Sequence, residues 1–138
     1  MHNMRKRPQR QILKVIAFLS LLVILDQLTK PAAQSLFQTQ VNTGSFLGFY
    51  IGKFPLSSLI IASLALIIFL ADLIRKKRIG IGEILILSGG VGNLIDRIFR
   101  PGVVDWINFY GLWFNLADIY ITLGITLWTL KSYLKTTN

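Results

Sequence analysis

The sequence has no cysteine and a single histidine, His2, among its 138 residues. Without cysteine, the chain can form neither a disulfide nor a thiolate nucleophile, and cysteine-ligated metal sites are excluded. A lone histidine near the start of the chain argues against a histidine-ligated metal site and against a serine–histidine–aspartate triad. We therefore expect no metal and no cofactor.

Acidic residues are also scarce: six face fifteen lysines and arginines, which gives a formal net charge of +9. Four of the six border long apolar runs, namely Asp26, Asp96, Asp105 and Asp118. A carboxylate at the edge of hydrocarbon costs about 3 kcal/mol, so it is rarely kept unless it is paired or does chemistry. Four such groups together indicate a site.

What the sequence does have is apolar length, since 53% of its residues are hydrophobic and only 15% are charged. Runs at 12–28, 56–74, 81–99 and 114–134 have about the length that crosses a bilayer core as a helix. The third run is interrupted by Gly89, Gly90, Gly92, Asn93 and Asp96 but still resembles a span. The sequence predicts an all-α membrane protein, one domain over residues 1–138, with four transmembrane helices.

The basic residues predict the orientation of these helices. Most lie in the N-terminal tail, in the turn at 75–78 and near the C-terminus. The positive-inside rule places these parts, and thus both termini, in the cytoplasm, and it places segments 31–55 and 100–113 outside. A basic tail that binds nucleic acid or anionic lipid is the weaker alternative, and we expect no nucleic-acid partner.

With this topology Asp26, Asp96, Asp105 and Asp118 all face the outer compartment, whereas Asp72 and Glu83 flank the basic cytoplasmic turn. Neutralisation of that turn explains the latter two, so they are assigned no chemistry.

Helical spacing relates the outer polar residues to one another. Asp26 and Lys30 are four apart, which suits an ion pair, and a purely structural pair is the simplest reading. Gly89, Asn93 and then Asp96 or Arg97 fall on one stripe, where small residues allow close helix approach and polar groups bond across it.

A second polar stripe, predicted to point into the bundle, comprises Asn115, Asp118, Thr122, Thr126 and Thr129. Alternatively, Asp118 only complements the dipole of its helix.

The two outer segments have features of short strands. Residues 37–50 alternate in part and are punctuated by glycine, and residues 102–107 place Asp105 between β-branched and aromatic neighbours. We expect a small extended element on the outer membrane face. Asn42 and Gly44 could equally be ordinary turn residues.

Paired carboxylates at a partly dry interface have a specific use. Burial and like charge raise one pKa, so that the pair shares a proton near neutral pH. One member then takes a proton from water while the other donates to a carbonyl oxygen, which hydrolyses a peptide without metal, serine or cysteine.

Five blocks of the sequence, in this order, resemble the signature blocks of the bacterial lipoprotein signal peptidases (signal peptidase II). They are Asp26-Gln27-Leu28-Thr29-Lys30, Asn42-Thr43-Gly44, Gly89-Gly90-Val91-Gly92-Asn93-Leu94-Ile95-Asp96-Arg97, Val103-Val104-Asp105 and Phe114-Asn115-Leu116-Ala117-Asp118. The resemblance covers nearly the whole chain and implies an aspartic endopeptidase of the bacterial inner membrane. Such an enzyme cuts prolipoproteins before the diacylglyceryl-modified cysteine, on the outer side of the membrane.

The same resemblance implies roles for individual residues. Asp105 and Asp118 would be the catalytic dyad. The residues that shape the site and hold the substrate would be Asp26, Lys30, Asn42, Gly44, Asn93, Asp96, Arg97 and Asn115. The implied partners are lipid-modified prolipoproteins and membrane lipid, and the expected state is a monomer.

Two features depart from the family pattern: the connection from Asp105 to Asp118 is short, and Ser45-Phe46 stands where small residues are usual. The first leaves open whether residues 106–113 close over the site. Two other functions stay open on the residues alone, a small cation or proton transporter and a non-enzymatic membrane scaffold. A transporter would favour acids near mid-span, and a scaffold would tolerate Asp→Asn changes at 105 and 118.

Overall fold

The computed structural model describes residues 6–44, 55–76 and 79–136, and these form four α-helices and four short strands. The helices are α1 (Lys6–Leu36), α2 (Pro55–Lys76), α3 (Ile81–Phe99) and α4 (Leu116–Thr136). The strands are β1 (Gln40–Asn42), β2 (Val103–Asp105), β3 (Ile107–Phe109) and β4 (Leu112–Phe114). A mainly helical chain with small extended elements is confirmed, whereas the membrane topology and the side of the termini stay predictions.

Helix α1 is longer than the apolar run at 12–28, and it continues through Pro31 into the segment that we expected to begin the outer loop. Residues 31–36 are thus helical, and their place outside the membrane stays a prediction. A proline inside a helix removes one backbone hydrogen bond and costs about 3 kcal/mol. Lys30 and Ala33 are nevertheless buried on either side of it. Packing of this last part of α1 against the rest of the molecule offsets the lost bond.

Helix α3 lies at the centre, because it packs against α1, α2 and α4, and its bounds coincide with the predicted run at 81–99. Glycines permit its close approach to α4. A Cβ added to Gly82 would lie 2.9 Å from the carbonyl oxygen of Gly124, and one added to Gly89 would overlap the carbonyl of Ala117. The predicted close packing of small residues is therefore present along this contact.

The outward faces of the helices are apolar. Leu13, Ile68 and Leu123 are more than half exposed, as are many other large aliphatic side chains of α1, α2 and α4. Among the described residues, one stretch of helix, the 28-residue Gln9–Leu36, combines the length and hydropathy needed to cross a membrane.

The extended segments form two small antiparallel sheets. In the first, β1 pairs with β2, so that Gln40 lies opposite Asp105 and Asn42 opposite Val103. In the second, β3 and β4 form a hairpin whose two-residue turn is Tyr110-Gly111. Short strands within 37–50 and 100–113 are thus confirmed, although β4 runs on to Phe114. Residues 45–50, including the unusual Ser45-Phe46, lie outside the described residues.

The end of the bundle formed by the start of α3 and the end of α4 carries a different polar group. The Glu83 carboxylate accepts a hydrogen bond of 3.1 Å from the Gly80 backbone N–H, where α3 begins. The Lys131 ammonium approaches the same glycine. Glu83 therefore caps α3, a role beyond the expected neutralisation of the basic turn.

Candidate active site

The end of α1, the end of α3 and the start of α4 meet at one end of the bundle, beneath the β1–β2 sheet. This convergence brings together all four acids that border the apolar runs. Asp26 and Asp96 are fully buried, Asp105 is 2% exposed and Asp118 is half-buried.

Asn115 links the two carboxylates of the expected dyad. Its side-chain amide donates to Asp105 Oδ1 at 2.6 Å, and its backbone N–H donates to Asp118 Oδ2 at 3.1 Å. In return, the Asp118 N–H donates to Asn115 Oδ1 at 3.1 Å. The latter two bonds form a reciprocal cap at the start of α4, which fixes the Asp118 side chain.

Two further amides hold the same carboxylates. Asn93 Nδ2 on α3 donates to Asp118 Oδ1 at 2.8 Å, so both oxygens of Asp118 accept a hydrogen bond. The side chain of Asn42, at the end of β1, hydrogen-bonds Asp105. Asn42 Oδ1 also accepts the N–H of Gly44 at 3.0 Å, the geometry of an Asx turn. The side chain of Asn42 therefore both forms the turn and hydrogen-bonds Asp105.

Arg97 completes this shell from α3. Its guanidinium donates to the Asn93 carbonyl at 3.0 Å and to the Gly44 carbonyl at 3.4 Å. It therefore fastens the turn after β1 to α3.

The carboxyl of Asp105 has a pKa above its ordinary value. Burial is the main cause that raises the pKa of its carboxyl, and the negative charge of Asp118 raises it further, to about 6. Hydrogen bonds from Asn115 and Asn42, and the charge of Lys30, oppose the shift. A carboxyl with this pKa can hold a proton in mildly acidic conditions and lose it near neutrality.

Asp96 belongs to a separate, buried ionic cluster. Its Oδ2 lies 2.8 Å from Lys30 Nζ, and its Oδ1 lies 2.5 Å from Arg100 Nη1. Lys30 Nζ also lies 2.6 Å from Asp26 Oδ2. The two cations beside Asp96 are therefore Lys30 of α1 and Arg100, which follows Asp96 by four residues on α3.

Sequence reasoning missed two members of this cluster, Arg100 and Gln27. Gln27 Nε2 contacts Asp26 Oδ2 at 3.1 Å, the Gly92 carbonyl at 3.1 Å and Asp96 Oδ1 at 3.0 Å. The four-residue spacing from Asp96 was the available signal for Arg100. For Gln27 the only signal was its place between Asp26 and Lys30.

The predicted polar stripe on α4 is wrong beyond Thr122. Thr126 and Thr129 are exposed instead of inward-facing, whereas Thr122 is exposed but lines the cavity beside Asp118. The hydroxyls of Thr122 and Thr126 donate to the carbonyls four residues earlier, at 2.8 Å each. Because threonine can satisfy its hydroxyl within its own helix, its spacing alone does not show which face is buried.

A cavity of about 690 Å³ opens beside the two carboxylates. Its wall includes Asn93 and Arg97 of α3, Asp105 of β2, and Asp118 of α4. Gly111 to Phe114 of the hairpin also line it, so the short connection after Asp105 does cover the site. The rest of the lining comprises Gln40, Val41, Asn42, Val103, Ile119, Thr122 and Leu123. Asp96 and Lys30 are not part of it.

Two of the lining side chains have spare hydrogen-bonding capacity. Asn93 Oδ1 and Arg97 Nε are buried and have no hydrogen-bond partner within the described ranges. The buried indole nitrogen of Trp106 is likewise unpaired there. Asn93 and Arg97 thus supply one acceptor and one donor next to the carboxylates.

Comparison with known proteins shows which family this sequence resembles. The sequence profile of the family described as Signal peptidase (SPase) II matches residues 18–134. The lipoprotein signal peptidase of Borrelia hermsii is 33% identical over 151 aligned positions, covering 86% of this chain and 89% of the relative. That of Borrelia turicatae is 35% identical over 142 positions, covering 80% and 84%.

A solved structure agrees. A bacterial membrane enzyme determined by the in meso method at 2.3 Å matches with a TM-score of 0.73 and 27% identity, over 91% of this chain and 90% of that one. Since the profile covers most of the sequence and the fold matches over nearly the full length, the chain belongs to the signal peptidase II family.

Proposed function

We propose that this protein is an aspartic endopeptidase that removes the signal peptide from prolipoproteins, cutting before the lipid-modified cysteine. The observation that carries the proposal is the pairing of Asp105 and Asp118 on the wall of one cavity, joined through Asn115. Family membership supports prolipoproteins as the substrates, because the relatives are lipoprotein signal peptidases.

We assign different roles to the two aspartates. Both oxygens of Asp118 accept N–H donors, which orient its side chain as the general base. The raised pKa of Asp105 favours its protonated form, which can act as the general acid. Asp118 takes a proton from water, the resulting hydroxide attacks the scissile carbonyl carbon, and Asp105 donates its proton to the carbonyl oxygen.

Collapse of the tetrahedral intermediate completes the reaction. The oxygen returns its proton to Asp105, Asp118 gives the proton taken from water to the leaving nitrogen, and the C–N bond breaks. Each carboxyl ends in its starting state, so no metal is needed for the proton balance.

Unpaired groups beside the dyad suit an extended peptide. Asn93 Oδ1 can accept a backbone N–H of the substrate, and Arg97 Nε can donate to a backbone carbonyl. Apolar lining residues, such as Ile119 and Leu123 of α4 and Leu112 of the hairpin, suit the acyl chains.

We further propose that the four helices cross the bacterial inner membrane as one peptidase domain, with the site on the outer face. The exposed apolar side chains of α1, α2 and α4 support lipid contact. Lipid-modified prolipoprotein and membrane lipid are then the partners, and a monomer contains every residue assigned to the site. The transporter and scaffold alternatives are not favoured by the family.

The test is cleavage of a prolipoprotein with an intact diacylglyceryl cysteine, in detergent or lipid. Asp105→Asn and Asp118→Asn should each lower kcat by about 10³-fold or more, because an amide cannot exchange a proton, and the double variant should be little worse. Asp72→Asn, in α2 away from the site, is the matched control and should cleave normally. Turnover by either dyad variant at the wild-type rate would refute the aspartic mechanism.

A further inference from the structure

We propose that Lys30 is a positioning residue that sets the relative placement of Asp105 and Asp118, acting through the two buried carboxylates Asp26 and Asp96. The inference rests on the proposed function, since it concerns how that dyad is held. Lys30 is not part of the cavity wall, so it acts without touching the substrate.

The first arm of this arrangement runs from Lys30 to Asp118. Asp26 Oδ2 accepts the Lys30 ammonium at 2.6 Å, and Asp26 Oδ1 accepts the backbone N–H of Ala117 at 3.0 Å. Ala117 is fully buried and immediately precedes Asp118. The Ala117 N–H is one of the free donors in the first turn of α4, so Asp26 ties that turn to α1.

The second arm runs from Lys30 to Asp105. Asp96 Oδ2 lies 2.8 Å from the same ammonium and accepts the backbone N–H of Val104 at 3.2 Å. Val104 is 1% exposed and immediately precedes Asp105 in β2. Each carboxylate therefore holds the backbone N–H of the residue just before one member of the dyad, and Lys30 joins the two carboxylates.

Neighbouring groups fix the geometry of this bridge. Lys30, Asp26 and Asp96 are all fully buried, and the Gln27 amide contacts both carboxylates. A Cβ added to Gly92 would lie 2.6 Å from Asp26 Oδ2, so the absence of a side chain there makes room for the carboxylate. The cluster thus has little freedom to shift.

A rigid bridge matters because the dyad members belong to different elements. Asp105 is on a three-residue strand and Asp118 is in the first turn of a helix. Sharing of a proton requires that their carboxyl groups keep one separation, and a misplacement of about 1 Å can cost about 100-fold in rate. Lys30 also neutralises two buried carboxylates that would otherwise repel each other.

An ordinary structural ion pair is the competing explanation, and charge-compensated double variants distinguish the two. Lys30→Met removes the bridge. Lys30→Met/Asp26→Asn and Lys30→Met/Asp26→Leu then remove the same charges and leave side chains of similar shape. Only the asparagine keeps an oxygen that can accept the Ala117 N–H.

The measurements are kcat, KM and the pH profile for prolipoprotein cleavage, with thermal stability in detergent. Glu83→Gln, at the opposite end of α3, is the control for loss of a buried carboxylate. Positioning predicts a fall of about 100-fold in kcat for Lys30→Met, a KM within about threefold of wild type and a shifted pH profile. The Asp26→Asn double variant should turn over at least about tenfold faster than the Asp26→Leu double variant at equal stability. Glu83→Gln should keep the wild-type kcat.

The inference is wrong if the two double variants have equal kcat, or if Lys30→Met cleaves as fast as wild type. Should Lys30→Met fail to fold, the comparison of the double variants still decides. Absence of cleavage by the wild-type protein in the same assay would instead contradict the proposed function.

Discussion

At the scale of single residues, the described side chains that donate hydrogen bonds to the dyad are amides. Asn42, Asn93 and Asn115 all hydrogen-bond Asp105 or Asp118, whereas Lys30 and Arg100 pair with carboxylates outside the cavity. A neutral donor stabilises a carboxylate less than an adjacent cation does, so burial can still raise the pKa of Asp105. The asparagines therefore hold the two carboxyls to which we assign proton transfer, whereas Lys30 pairs with Asp26 and Asp96.

The raised pKa of Asp105 predicts a pH-dependent stability. The folded protein favours the neutral carboxyl, so this stabilisation is full below its ordinary pKa of 3.8 and is lost as the pH rises through about 6. Asp105→Asn is neutral at every pH. Between pH 4 and 7 we therefore expect the Tm of the wild type to fall relative to the variant by about 10 °C.

Thermal unfolding in one detergent across that pH range measures this difference. The change of the Tm difference with pH is the informative quantity. The Tm difference at a single pH also includes the effect of the altered hydrogen bond to Asn115. A difference that stays constant from pH 4 to 7 would contradict a raised pKa.

At the scale of elements, the β3–β4 hairpin explains how a short connection covers the site. Only Tyr110 and Gly111 join the strands, with φ values of 51° and 87°, the left-handed geometry of the tightest hairpin turns. The Asn108 side chain accepts the Gly111 N–H at 2.9 Å. Such a turn folds the chain back at once, so that Leu112 to Phe114 reach the cavity.

Opposite substitutions in this turn should have opposite effects. Gly111→Ala should destabilise the protein by about 1 kcal/mol, because nothing lies within 4 Å of the added Cβ and the cost is purely that of the left-handed backbone. Tyr110→Asn should stabilise it slightly, because asparagine adopts that conformation more easily and Tyr110 is 94% exposed. Thermal unfolding of both variants tests the turn, and shifts of the same sign would contradict it.

At the scale of the whole molecule, the two ends of the bundle differ in their polar groups. Asp26, Asp96, Asp105 and Asp118 gather where α1 and α3 end and α4 begins, whereas Glu83 and Lys131 both lie beside Gly80, where α3 begins and α4 ends. The predicted topology places these two ends on opposite sides of the membrane.

Reporter fusions test that orientation. Reporters placed after Ile51 and after Lys77 should report opposite sides of the membrane, the first outside and the second in the cytoplasm, following the positive-inside rule. A fusion after Asn138 should agree with the one after Lys77. If the first two fusions both report the cytoplasm, the four-span topology and the outer site are wrong together.

Much of this protein follows from the sequence alone. Apolar runs interrupted by few charges predicted helices, and α3 has the predicted bounds because Gly80 and Pro101 limit it on either side. Motif order predicted the family. Spacing of four residues predicted the contact between Asp26 and Lys30, since neighbours on one helix face meet whatever the rest of the fold does.

Only the tertiary structure decided which distant groups meet. Thr126 and Thr129 of α4 have the same periodicity as Asn115 and Asp118 but lie outside, and Lys30 of α1 pairs with Asp96 of α3. The sequence could not predict the roles of the backbone N–H groups of Val104 and Ala117, because nearly every residue carries the same group. Their bonds to Asp96 and Asp26 exist because α1, α3, α4 and β2 converge, and that convergence depends on packing across the whole chain.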